Sequence, residues 1–74
     1  MRRLRKRSIS LAGHATSLAL EPAFWEVLEA CAKARGVSLA GVIADIDAHR
    51  GDAPLASACR LTALEFAKAA TQSC

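Results

Sequence analysis

The stretch that decides the fold is Ser8-Ile-Ser-Leu-Ala-Gly-His-Ala-Thr-Ser-Leu-Ala-Leu-Glu-Pro-Ala-Phe-Trp25, because it alternates polar and apolar residues and then turns abruptly into a helical pattern. Alternation with period 2 places successive side chains on opposite faces of a strand. Ile9 and Leu11 are apolar at odd positions, whereas Leu18 and Leu20 are apolar at even ones. The register therefore slips across Ala12-Gly13-His14, and glycine tolerates the positive φ of a turn, so two short strands joined near Gly13 are expected. In the second strand Thr16, Leu18 and Leu20 point inward, which leaves Ala15, Ser17 and Ala19 on the outer face.

Upstream of this stretch the chain is cationic. Arg2, Arg3, Arg5, Lys6 and Arg7 put five positive charges and no negative one into residues 1–7, whereas residues 21–74 hold five basic and seven acidic side chains. The formal net charge of +3 hides this asymmetry. A bare basic arm of this kind is an electrostatic handle for a polyanion.

Downstream, Glu21-Pro22 opens a helix, since proline suits the first helical position, where its missing N–H leaves no bond unmade. Phe24, Val27, Leu28 and Cys31 recur at helical spacing, with Trp25 widening the stripe, and Gly36 supplies a left-handed cap after Lys33 and Arg35. Ser38 is placed to cap a second helix, Leu39 to His49, whose apolar stripe is Leu39, Val42, Ile43 and Ile46. Arg50 to Pro54 read as a turn. An alanine-rich third helix is expected from about Ser57 to Ala70, with Ala58, Leu61, Leu64 and Phe66 on an apolar surface and a fraying end at Thr71 to Cys74. The organisation is thus a basic arm (1–7), a β-helix-helix core (8–50), a linker (51–56) and a C-terminal helix with its tail (57–74).

Seventy-four residues make one small domain, and 53% of them are apolar, more than a lone domain of this size comfortably hides. A homo-oligomer, most simply a two-fold dimer, is the expected remedy. Cys31, Cys59 and Cys74 are odd in number and widely spaced, which supports neither a disulfide framework nor a zinc knuckle and fits a reducing cytoplasm. The basic start is not followed by a continuous apolar run, so neither a signal peptide nor a membrane span is expected. Among chemistry-bearing residues, His14 has no second metal ligand at a useful spacing and reads as a turn histidine that bonds backbone or phosphate. Asp45 and Asp47 lie two apart on a helix and face different directions, which prevents a carboxylate pair. Arg60, near the start of the third helix, opposes the helix dipole and suggests a partner such as Asp47 or a phosphate. Phe24 and Trp25 read as core rather than as a stacking platform for bases. No nucleophile has a neighbouring base, and no cofactor or metal motif is present in the sequence; an enzyme is not expected.

The ordered set of strand Thr16 to Leu20, helix Pro22 to Arg35, junction Gly36-Val37-Ser38-Leu39 and helix Leu39 to Arg50 resembles the ribbon-helix-helix family of DNA-binding proteins. The likeness is nearer to its small bacterial domain proteins. It is carried by Gly13-His14, Thr16-Ser17, Leu20-Glu21, Phe24-Trp25, the Gly36 to Leu39 turn, Ile46-Asp47, Leu55 to Ala58 and Arg60-Leu61, and covers residues 7 to about 64. The resemblance implies a mainly α fold with a short β-ribbon, an intertwined homodimer plus an additional C-terminal helix, and a regulator of transcription that lays the ribbon in the major groove of double-stranded DNA. It implies a dimer core of Leu18, Leu20, Phe24, Trp25, Leu28, Val42, Ile43 and Ile46, and pairing of the strand with its copy in a second subunit. Nucleic-acid contact would fall to His14, Ala15, Ser17 and Ala19 on the ribbon, to Ser38 and Leu39 at the start of the second helix, and to the cations of the arm.

Family members present long polar side chains outward from the strand, whereas Ala15 and Ala19 can touch only a thymine methyl, leaving Ser17 as the outward donor. Weak base selectivity is the expectation, with the arm supplying salt-dependent affinity. The competing expectation is a protein-interaction module, an antitoxin-like or adaptor use of the same fold, in which Leu61, Leu64 and Phe66 of the C-terminal helix grip a partner protein.

Overall fold

The computed structural model describes residues 3–72. Two strands, β1 (Arg5–Leu11) and β2 (His14–Leu20), precede three helices, α1 (Pro22–Arg35), α2 (Leu39–His49) and α3 (Leu55–Gln72). The strands form a two-stranded antiparallel ribbon within the one chain, in a register that runs from Arg5 opposite Leu20 to Leu11 opposite His14. The two short strands expected on either side of Gly13 thus pair with each other. The connecting residues Ala12 and Gly13 have φ of 50° and 82°, the pair of positive values that matches a tight hairpin turn to the twist of its strands.

Register divides the ribbon into two faces. Arg5, Arg7, Ile9 and Leu11 lie opposite Leu20, Leu18, Thr16 and His14, and from this face Ile9, Leu11, Leu18 and Leu20 are buried against the helices. Lys6, Ser8 and Ser10 lie opposite Ala19, Ser17 and Ala15 on the other face.

Helix α1 starts as its sequence dictates, with Glu21 in extended backbone and Pro22 in the first turn. It ends at Gly36, whose φ of 71° turns the chain so that Val37 N–H donates to the Ala32 carbonyl and Gly36 N–H to that of Lys33, satisfying two terminal carbonyls. The buried face of α1 is Trp25, Leu28, Cys31 and Ala32; Phe24 and Val27, expected within the stripe, are only half-buried. Two adjacent aromatics differ by about 100° around a helix, so only one can point straight into the core. In α2, Ser38 Oγ accepts from Gly41 N–H at 3.0 Å, and Val42, Ile43 and Ile46 are buried.

Helix α3 begins two residues earlier than expected, at Leu55 directly after Pro54, and continues through Gln72. Its inward face is Cys59 and Ala63, flanked by Leu55, Ala56 and Phe66, so that Leu61 and Leu64 are turned outward, 60% and 50% exposed. One contiguous core joins ribbon and helices, and it encloses within a single chain seven of the eight residues expected in a dimer core, Phe24 being half-buried.

Candidate nucleic-acid interface

The basic segment is less free than an arm. Arg5, Lys6 and Arg7 belong to β1, and their alternation sends them to different work. Arg7 faces α1: its Nη1 lies 2.9 Å from Glu29 Oε2, and its guanidinium carbon sits 4.9 Å from the centre of the Trp25 ring. Trp25 Nε1 donates to the Arg5 carbonyl at 2.8 Å, which fastens the start of β1 to α1. An indole needs such a partner when buried, and Trp25 is 3% exposed. Lys6 stands on the opposite face, exposed, and Arg3 precedes the strand, also exposed. Arg2 lies outside the described residues.

The outer face of the ribbon is a shallow platform of small side chains. Ser8, Ser10, Ala15 and Ser17 are exposed and Ala19 is half-buried, with Lys6 at one end. Ser8 and Ser10 were missed as site candidates, although their alternation with Ile9 and Leu11 already placed them beside Ser17 once the turn was fixed. His14 is exposed and closes the hairpin opposite Leu11. Ser38 spends its hydroxyl on capping α2, leaving the amides of Leu39 and Ala40 without intrahelical acceptors, as at any helix start.

The acidic residues are mostly engaged inside the fold. Arg60 Nε donates to Glu21 Oε1 at 2.9 Å and its guanidinium sits 5.9 Å from the Phe24 ring, so the partner of Arg60 is Glu21 rather than Asp47. That hydrogen bond, above all, holds the Glu21 carboxyl below its ordinary range. Asp47 instead accepts from Arg50 Nε at 2.6 Å, and Arg50 also ties down the Ala53 carbonyl. Asp45 lies 3.6 Å from Arg35 and 3.5 Å from His49. Burial pushes the Cys59 thiol up, which keeps it protonated and unreactive.

Among the described residues no group of three or more His, Cys, Asp or Glu is placed to hold a metal ion, and no helix is long and apolar enough to cross a membrane. An open groove of about 480 Å³ runs between α2 and α3, lined by Ile46, His49, Arg50, Leu61 and Glu65 among others.

The described surface thus sorts into a ribbon face with Arg3 and Lys6 exposed at one end and helices on which Glu29, Arg35, Asp45, Asp47 and Arg60 are held in ion pairs. No curated protein and no solved structure matches the chain at a significant level. A family model described as a ribbon-helix-helix domain matches residues 4–67, from the residue before β1 well into α3. Members of that family are commonly DNA-binding regulators of transcription. With most of its length matched, and with an antiparallel ribbon followed by two helices and an added third, the chain belongs to the ribbon-helix-helix domain family.

Proposed function

We propose that the protein is a homodimeric DNA-binding regulator that turns the outer face of its ribbon toward the major groove of double-stranded DNA. The observation that carries this reading is the division of the basic segment: Arg7 is consumed by Glu29 and Trp25, whereas Arg3 and Lys6 stay exposed beside a smooth hydroxyl- and methyl-bearing platform. The major groove admits a two-stranded ribbon. Lysine and arginine at its margin contact phosphates, which sets affinity without reading sequence. Ser17, with Ser8 and Ser10 beside it, offers hydroxyls to base edges, and Ala15 and Ala19 offer methyl contact. The free amides at Leu39 and Ala40, at the positive end of the α2 dipole, suit a further phosphate. His14 at the hairpin tip is a third such contact. Cys31 and Cys59, free and buried, suit the reducing cytoplasm of a bacterium.

The test is a fluorescence anisotropy titration of the full chain against mixed duplex fragments at low and moderate salt. Charge-neutral variants at Arg3 and Lys6 serve better than deletion of residues 1–7, which would remove the start of β1 and the carbonyl that Trp25 needs. Saturable binding that weakens steeply with salt supports the reading. Absence of binding at low salt overturns it.

A second reading is favoured by one specific observation, the outward turn of Leu61 and Leu64 on α3 beside the groove. Exposed leucines one helical turn apart form a face that a partner protein can cover. Under this reading Leu61→Glu with Leu64→Glu leaves DNA binding intact and abolishes partner binding.

A further inference from the structure

The core closes within one chain, so a second copy must be met on the surface. Among the described residues the large apolar side chains left exposed are Leu4, Val37, Leu61 and Leu64, and only the last two share an element. They lie on the face of α3 turned away from the buried Cys59 and Ala63. Ser57, Leu61, Leu64 and Lys68 are all exposed and follow one another at intervals of four, three and four residues. That is the alternation of a and d positions in a heptad, the seam along which two helices pack. Leu61 and Lys68 take a, Ser57 and Leu64 take d, while Cys59, Ala63 and Phe66 fall at f and c and face the core.

The flanks decide what can cover this seam. Arg60 stands at g and Glu65, five residues on, at e, the two positions that meet across parallel paired helices. Arg60 gives its Nε to Glu21, and a guanidinium with five donors keeps others to offer. Glu65 is exposed, and among the described residues it makes no ion pair. A face that carries a cation and an anion on opposite flanks of an apolar pair is complementary to itself.

We propose that α3 pairs in parallel with α3 of a second copy, Leu61 against Leu61 and Leu64 against Leu64, with Arg60 of each copy bonded to Glu65 of the other. The proposal rests on the reading of the protein as a homodimer, names the surface that makes it, and gives that face to a second copy rather than to an unrelated protein. An antiparallel pair would also join the leucines, but it would line Glu65 with Glu65 on one flank and Arg60 with Arg60 on the other. Parallel pairing sets Lys68 against Lys68. A lone polar a position of this kind costs stability while it fixes register and strand number, and the lysine stem lets each ammonium swing out to water. Because Arg60 also holds Glu21 and lies over Phe24, the seam is continuous with the contacts that fasten α3 to the start of α1.

The experiment uses the full chain with Cys74→Ser, since Cys31 and Cys59 are buried. In this background Ser57→Cys on α3 and Ser17→Cys on the ribbon are oxidised mildly, free and on a short duplex, and run on non-reducing gels. Sedimentation velocity is measured alongside. On helices about 8–10 Å apart, facing Cα atoms come within the roughly 7 Å that a disulfide requires, so Ser57→Cys is expected to link into dimers. In an antiparallel pair the two positions would lie about 16 Å apart along the axis and would not link. Separately, Glu65→Arg opposes Arg60 of the second copy and should raise the dimer dissociation constant about tenfold. Leu61→Glu with Leu64→Glu should leave a monomer. Both variants change exposed side chains, so their melts by circular dichroism should match that of wild type. A dimer in which Ser57→Cys fails to link, one that links through Ser17→Cys, or one that either α3 variant leaves intact overturns the seam. A chain that is monomeric at all concentrations and single on the duplex overturns the homodimer reading itself, and leaves Leu61 and Leu64 to a partner of another kind.

Discussion

Lys6 and Arg7 are adjacent cations on opposite faces of β1, and neutralising each separately is expected to produce unlike effects. Lys6→Gln removes an exposed charge from the outer face. Each phosphate contact contributes about 0.9 to the log–log slope of affinity against salt, so a dimer that loses two should show a slope shallower by about 1.8. Over a fourfold rise in salt, wild-type affinity should then fall about twelvefold further than that of the variant. Its melting temperature should not move. Arg7→Gln removes a bond of 2.9 Å to Glu29 and a cation 4.9 Å from the centre of the Trp25 ring. Both partners of the ion pair are more than a third exposed, 37% and 57%, which limits the pair to about 0–1 kcal/mol. The ring contact adds about 0.5–1 kcal/mol. A loss near 1 kcal/mol lowers the melting temperature by about 4–8 °C in a domain of this size, with the salt slope unchanged. Anisotropy titrations at four salt concentrations and thermal melts by circular dichroism measure both quantities. A shallower slope for Arg7→Gln with an unmoved melting temperature, or an unchanged slope for Lys6→Gln, would refute the division of labour.

Other substitutions probe the fold. Leu28 is fully buried, so Leu28→Ala should cost about 2–5 kcal/mol, most of the stability of a small domain; a loss below about 1 kcal/mol by urea denaturation would contradict the core described. Ala12 has φ of 50°, a left-handed conformation in which asparagine is preferred before glycine, so Ala12→Asn should stabilise by about 0.5–1 kcal/mol, and a lower urea midpoint would count against the turn. The lowered Glu21 value has a definite sign: the Arg60 contact stabilises the fold above the ordinary carboxylate value of 4.5 and is lost as pH falls through the depressed folded value. Glu21→Gln should therefore flatten the dependence of stability on pH between 4.5 and the depressed value, and an unchanged acid profile would show that the pair does not act in solution.

Much of this fold is legible in the chain because its signals are local. The register slip at Ala12-Gly13, Pro22 at the start of α1, Gly36 after it and Ser38 before α2 each act within a turn of their own position, and the structure shows each in that role. What was not legible depends on contacts distant in sequence. Arg5 to Arg7 look like a free arm until the Arg5 carbonyl and Arg7 guanidinium meet Trp25, 20 and 18 residues away. Arg60 finds Glu21 across 39 residues, which no local pattern announces. In α3, alanine marks neither the inner nor the outer face, so the inward turn of Cys59 and Ala63, and with it the exposure of Leu61 and Leu64, was set by packing rather than by periodicity. The two strands and the turn between them followed from alternation, but the residues of β1 that share the outer face with Ser17 required the pairing of Ser8 with Ser17.

Sedimentation equilibrium of the chain mixed with a short duplex tests the central claim most directly, because it reports binding and stoichiometry together. A complex of two chains on one duplex that forms at low salt and dissociates as salt rises is the expected result. Protein and duplex that sediment independently at low salt would contradict it.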